Sequence, residues 1–230
     1  MLRPNPVQLT VNTLVASAFT EPYGLEVFKL NVTDPGYYLL YFSPSAPKLP
    51  LEQPQDLILQ AFAPNLTPEG SAYRDNSELT VNLAAGTHTL SVNKRYAEAG
   101  PYTLNAIRLA PPILLSVPSG SVNGSIDLAA QKRYYSLSRN ANQAVKVSLN
   151  ASSGWSGYVR IYKQPATNGD YTNSDTALAV QTFGAPYGKP QSVSFTYTPP
   201  SDGTYIVRVN GVDPSGKPQI GSYTLSLETP

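Results

Sequence analysis

Residues able to do chemistry are few in this chain. There is one histidine, His88, and no cysteine. A Ser-His-Asp triad or a histidine-ligated metal site would have to use His88, and thiol chemistry and disulfides are excluded. His88 lies in the run Gly86-Thr87-His88-Thr89-Leu90-Ser91-Val92-Asn93. A period of two puts it on one face with Leu90 and Val92. This predicts a histidine at the edge of a core, with a ring nitrogen on a backbone group, and argues against a catalytic base. Glu21 and Glu26, Glu52 and Asp56, and Asp170 and Asp175 are close in sequence. Such pairs run glycoside hydrolysis only when they converge to ~5–10 Å. All lie in or beside turns, where solvated carboxylates are common. The chain is read as a non-enzyme.

Two other groups are candidates for binding. The loop Asn168-Gly169-Asp170-Tyr171-Thr172-Asn173-Ser174-Asp175 is rich in oxygen ligands of the kind calcium takes, with Asp170 and Asp175 as its carboxylates. Its spacing is not that of an EF-hand, and a hydrated turn explains it as well. No other cofactor is implied. The stronger signal is aromatic: Tyr158, Arg160 and Tyr162 share one strand face, Val159 and Ile161 point the other way, and Trp155 precedes them in Ser153-Gly154-Trp155-Ser156-Gly157. Flat rings beside an arginine stack on sugars or on protein side chains. Tyr171, Phe183 and Tyr187 could close over the same face. The competing reading makes Trp155 a plug in the end of the fold and the tyrosines a cover for an exposed sheet.

The elements that must position these residues are strands. Among 230 residues, 22 prolines and 16 glycines interrupt the chain too often for long amphipathic helices. Short Val-, Leu-, Tyr-, Phe- and Thr-rich runs alternate with turn clusters, the pattern of a sandwich or barrel. Strands are expected near 7–15, 25–33, 37–43, 56–62, 78–83, 87–93 and 101–109, then near 113–117, 122–127, 132–138, 144–150, 157–163, 192–197, 204–210 and 222–228. Segments 43–55, 63–77 and 164–190 read as long loops. The run Gly36-Tyr37-Tyr38-Leu39-Leu40-Tyr41-Phe42 is apolar on both faces, which suits a central strand covered on both sides or a contact surface for another chain.

The chain also contains itself twice. Residues 86–93 (GTHTLSVN) recur as 203–210 (GTYIVRVN), and Tyr102-Thr103-Leu104 recurs as Tyr223-Thr224-Leu225 at similar spacing. A repeat of this length is domain-sized. The boundary falls at Ala110-Pro111-Pro112, giving domains 1–110 and 111–230. Gly86 and Gly203 turn the chain into equivalent strands, where a positive φ suits glycine.

Net charge is +1, charged residues make up 13% of the chain, and Lys and Arg form no run, which argues against nucleic acid. No apolar stretch is long enough to span a membrane. The hydroxyl- and amide-rich composition favours an extracellular or cell-envelope location, with any signal peptide absent from the chain as given. Asn31, Asn65, Asn123 and Asn150 head glycosylation triplets of the sort expected by chance in so Asn-, Ser- and Thr-rich a sequence.

Residues 197–209 (YTPPSDGTYIVRV) followed by 221–227 (GSYTLSL) resemble the closing pattern of the bacterial pre-peptidase C-terminal domain family. Residues 131–137 (QKRYYSL) and 143–149 (QAVKVSL) are similar to its earlier strands. Glu26–Leu30, Asp56–Leu59 and Ala85–Val92 match more loosely in the first half. The resemblance implies an all-β chain of two tandem antiparallel jelly-roll-like β-sandwich domains, the first divergent, of the kind attached to secreted bacterial enzymes and surface proteins. Calcium sites of similar domains use an acidic leading segment. Here Pro111 to Asp127 carries only Asp127, a departure from that pattern. Together these readings predict a non-catalytic secreted or cell-envelope module that binds a surface polysaccharide or protein, or alternatively a self-assembling subunit of a fibre or surface layer.

Overall fold

Alternating apolar residues between closely spaced turns build strands throughout. A computed structural model describes residues 6–19, 25–44, 57–63, 68–73, 78–94, 100–164 and 177–230. Its contacts divide the chain into two compact units, Met1–Leu109 and Ala110–Pro230. The fold is almost all β. Among the described residues no helix is long and apolar enough to cross a membrane.

The first unit contains β1 (Val7–Leu9), β2 (Leu14–Phe19), β3 (Leu25–Val32), β4 (Gly36–Pro44), β5 (Leu57–Phe62), β6 (Pro68–Tyr73), β7 (Glu78–Leu83), β8 (Gly86–Lys94) and β9 (Gly100–Arg108). They form two sheets, ordered β1-β3-β8-β5-β6 and β2-β9-β4-β7. The second unit contains β10 (Ile113–Leu114), β11 (Gly120–Ile126), β12 (Lys132–Arg139), β13 (Val145–Ala151), β14 (Gly157–Lys163), β15 (Ala179–Phe183), β16 (Ser192–Tyr197), β17 (Gly203–Gly211) and β18 (Gly221–Glu228). Its sheets run β10-β12-β17-β14-β15 and β11-β18-β13-β16. Raising every strand number of the first unit by nine reproduces the second.

In each unit side chains from both sheets meet in one core. Phe28, Leu30, Leu90 and Val92 face Tyr38, Leu40, Phe42 and Leu104 in the first. Leu137, Val159, Val207 and Val209 face Val147, Leu149, Leu225 and Leu227 in the second. Each such aliphatic or Phe side chain contributes about 1.5–3 kcal/mol by leaving water. Gly86 (φ 138°) and Gly203 (φ 149°) start β8 and β17 in a backbone region that side chains disfavour. In the apolar run of β4, Leu39 and Tyr41 are buried as well as Tyr38, Leu40 and Phe42, so both faces of the strand are covered.

Three details differ from the sequence reading. The expected strand 7–15 breaks at a turn where Thr13 N donates to Thr10 O and Asn12 is left-handed, sending β1 and β2 to different sheets. The sheets are not wholly antiparallel, since β1 pairs with β3, and β10 with β12, in parallel. The cause is the sheet switch: β2 or β11 carries the chain back through the opposite sheet before it returns beside its entry strand. Finally, the expected loops 63–77 and 164–190 contain β6 and β15. Both are short edge strands held by one ladder, to β5 and β14, with little alternation of their own.

Candidate functional site

The aromatic residues singled out by sequence part into two environments. Trp155, in the turn leading into β14, is 2% exposed and lies in the core. Its ring meets Phe183 edge-on at 4.9 Å and lies 6.1 Å from Tyr223, and its Nε1 donates to Ser222 O at 3.1 Å. The indole lies against Gly221, where a Cβ would fall inside van der Waals contact with the ring. A buried ring whose single donor is already used presents no face to a ligand. The expectation that Trp155 binds ligand is therefore corrected: it plugs the sandwich end. Phe183 is likewise a core residue.

β14 does place Tyr158, Arg160 and Tyr162 on the sheet face opposite the core, as period two requires. The Arg160 guanidinium lies 4.4 Å from the Tyr158 ring centre, and Tyr187 meets the same ring at 5.4 Å, tilted 62°. Tyr187 comes from a short 3-10 turn, Ala185–Tyr187, that follows β15. Burial, with Tyr158 beside it, pushes the Tyr187 hydroxyl above the ordinary phenol range. Sequence reasoning offered Tyr187 as a lid, and among the described loop residues it reaches this face. Tyr162 is buried, with Arg208 Cζ 5.0 Å from its ring centre, so it supports the face without presenting itself to solvent. Arg160 and Arg208 are directly opposite each other on β14 and β17. Like charges so placed repel, and each is countered by lying over a tyrosine. Arg208, two residues before the end of the recurring GTYIVRVN run, was not singled out in the sequence. Its cross-strand position is invisible without the register.

The outer face of the other sheet in the second unit is a different surface. Apart from Lys146 and Glu228, every outward position on β11, β18, β13 and β16 is Ser, Thr or Asn. Register sets them in rows, Ser121–Ser226–Ser148–Ser194 and Asn123–Thr224–Asn150–Ser192. Shallow grooves of about 350 and 340 Å³ lie over these rows.

The remaining candidates are accounted for one by one. His88 is fully buried, with Nε2 2.8 Å from Ala84 O, the backbone partner expected of it. Its counterpart Tyr205 donates to Ser201 O at 2.7 Å, spanning the same four residues. Glu26 is buried and accepts from Ser17 at 2.9 Å and from Tyr102. Among the described residues no three of His, Cys, Asp or Glu gather as metal ligands. Glu21, Glu52, Asp56, Asn65, Asp170, Tyr171 and Asp175 lie outside the described residues.

No family model and no curated protein matches the chain. Solved structures do. A pre-peptidase C-terminal domain of a Bacillus anthracis collagenase is similar at 16% identity and TM-score 0.38, over 45% of this chain and 97% of that one. A surface-associated copper-binding protein of Methylomicrobium album is similar at 11% identity and TM-score 0.38, over 53% and 100%. The CUB1-EGF-CUB2 domains of rat MASP-1 are similar at 9% identity and TM-score 0.29, over 96% and 100%.

Proposed function

We propose that the chain is a non-catalytic module of the cell envelope or extracellular space, built from two copies of one β-sandwich, that binds a surface polymer or protein. The observation that carries this reading is the Tyr158–Arg160–Tyr187 cluster. Two tyrosine rings set edge to face and a guanidinium over one of them form a compact aromatic-cationic surface that needs no nucleophile or metal. The burial of His88 and the engagement of Glu26 support the non-catalytic reading, because neither is placed to reach a substrate. The neutral, hydroxyl-rich composition supports the location.

Screening the full chain against immobilised bacterial surface polymers and matrix proteins tests the site. Tyr158→Ala and Arg160→Ala are each expected to weaken the bound target at least tenfold without lowering the melting temperature. Binding indifferent to both substitutions would overturn the assignment. Calcium at Asp170 and Asp175 would show as a calcium-dependent rise in melting temperature.

A second reading, a self-assembling surface subunit, has one favouring observation. Edge strand β16 (SVSFTY) carries neither charge nor proline, the usual guards of an open edge. Light scattering across a concentration series decides it: growth in mass favours assembly, and a constant monomer mass removes it.

A further inference from the structure

The outer face of sheet β11-β18-β13-β16 has a composition that folding alone does not ask for. Asn is depleted in strands relative to Thr, Val or Tyr, so strand propensity does not account for the Asn and Ser of this face. Here the centre of the face is hydroxyl and amide without charge. The two charges present, Lys146 and Glu228, sit opposite each other at one end and neutralise each other at 3.2 Å.

We infer that this face is a binding site for an extended, uncharged polysaccharide, distinct from the Tyr158 cluster on the other sheet. Charge is the first argument. A surface with no net charge offers nothing to a polyanion or polycation, and it imposes no ion-desolvation cost on a neutral polyol.

Spacing is the second argument. Adjacent strands bring hydroxyl-bearing residues side by side every ~4.8 Å, and successive outward residues on one strand are roughly 6.7 Å apart. The four-strand row Ser121–Ser226–Ser148–Ser194 therefore offers repeated donor-acceptor groups to a chain of sugars lying across the strands. Each hydroxyl both donates and accepts, so it matches a sugar hydroxyl in either orientation.

Order is the third argument. Ser148 Oγ and Ser194 Oγ are 2.9 Å apart, and Ser192 donates to Asn150 Oδ1 at 2.8 Å. These pairs hold part of the array in place before a ligand arrives, which lowers the entropy lost on binding.

The test is native electrophoresis of the full chain in gels containing neutral polysaccharides (xylan, mixed-linkage β-glucan, soluble cellulose and chitin derivatives) or polyanions (alginate, heparin). At least one neutral polymer is expected to retard the chain, and the polyanions are not. Ser148→Asp with Thr224→Asp, which sets two carboxylates in the middle of the rows, should reduce retardation at least tenfold. Thr224→Val, which removes a hydroxyl and keeps strand propensity, should weaken it less. Leu114→Ala, on the exposed edge strand β10 of the other sheet and part of neither surface, should leave it unchanged. A thermal melt of each variant separates lost binding from lost folding. The inference is overturned if no neutral polymer retards the chain, if polyanions do so equally, or if Tyr158→Ala abolishes retardation while Thr224→Val does not. It is also overturned if the face proves to pair with a second copy, seen as self-association that Ser148→Asp disrupts.

Discussion

Tyr102 in the first unit and Tyr223 in the second occupy equivalent positions on β9 and β18, and their hydroxyls are satisfied in different ways. Tyr102 packs between Phe19 and Phe42, both at 4.8 Å, and donates to the buried Glu26, which also accepts from Ser17. Tyr223 instead shares a hydrogen bond with Tyr135 at 2.8 Å. The position of Ser17 is taken by Gly124, where a side chain would collide with the Tyr223 ring and the Tyr135 hydroxyl. Where Glu26 pairs with Val92, Arg133 pairs with Val209, and its guanidinium turns outward to Ser125 O and Asp127. The lesson is that the repeat preserves the demand and not the answer: a buried phenol needs a partner, and either a carboxylate or a second phenol meets it.

The outer faces differ more than the cores. Leu39 opposite Ile107 in the first unit corresponds to Lys146 opposite Glu228 in the second, and Tyr41 opposite Asn105 corresponds to Ser148 opposite Ser226. Inward positions are bound by packing volume, so they stay apolar. The other face differs in environment: Leu39, Tyr41, Asn105 and Ile107 are buried in the first unit, whereas Lys146, Ser148, Ser226 and Glu228 are partly or fully exposed in the second.

Several substitutions test how far the two units are alike. The largest effect is expected from Trp155→Ala, which empties the end of the second core. It should cost about 3–5 kcal/mol in denaturant unfolding. A loss below 1 kcal/mol would return Trp155 to the surface. Next, Gly86→Ala and Gly203→Ala should each cost about 1–3 kcal/mol through backbone strain, and by similar amounts if β8 and β17 are equivalent. Tyr102→Phe should then cost more than Tyr223→Phe, about 1.5–3 against about 0.5–1.5 kcal/mol. The first removes a bond to a carboxylate and the second a bond between neutral groups. Equal losses would mean that the two solutions are energetically the same.

The smallest effects are in pH. Burial, with Tyr135 next to it, raises the Tyr223 hydroxyl above its ordinary range. The native state then keeps a proton that the unfolded chain gives up near pH ~10. Stability from this group is complete below that pH and declines as pH rises beyond it, and Tyr223→Phe should make the alkaline decline shallower. At Asp213 the Ser215 hydroxyl, together with backbone N–H groups of Lys217 and Ser215, holds the carboxyl below its usual value. Its contribution is present above the ordinary aspartate range and is lost as pH falls through the lowered one. Asp213→Ala should flatten that acid limb.

Much of this was legible without coordinates. The shared two-residue period of GTHTLSVN and GTYIVRVN identified two equivalent strands, their inward residues, the backbone-bonded His88 and the positive-φ glycines. Alternation likewise assigned Tyr158, Arg160 and Tyr162 to one face. Strand period, turn chemistry and the repeat are local properties, and a single sequence determines them. Trp155 was misplaced because it stands in a Gly- and Ser-rich turn, where no period says which way a side chain points. Edge strands β6 and β15 escaped notice because neighbouring ladders hold them. The sheet switches that make β1 and β10 parallel to their partners, the facing of Arg160 with Arg208, and the alignment of serines into rows across four strands were decided by tertiary structure alone. Each depends on which strand lies beside which, and the period within one strand carries no information about its neighbour.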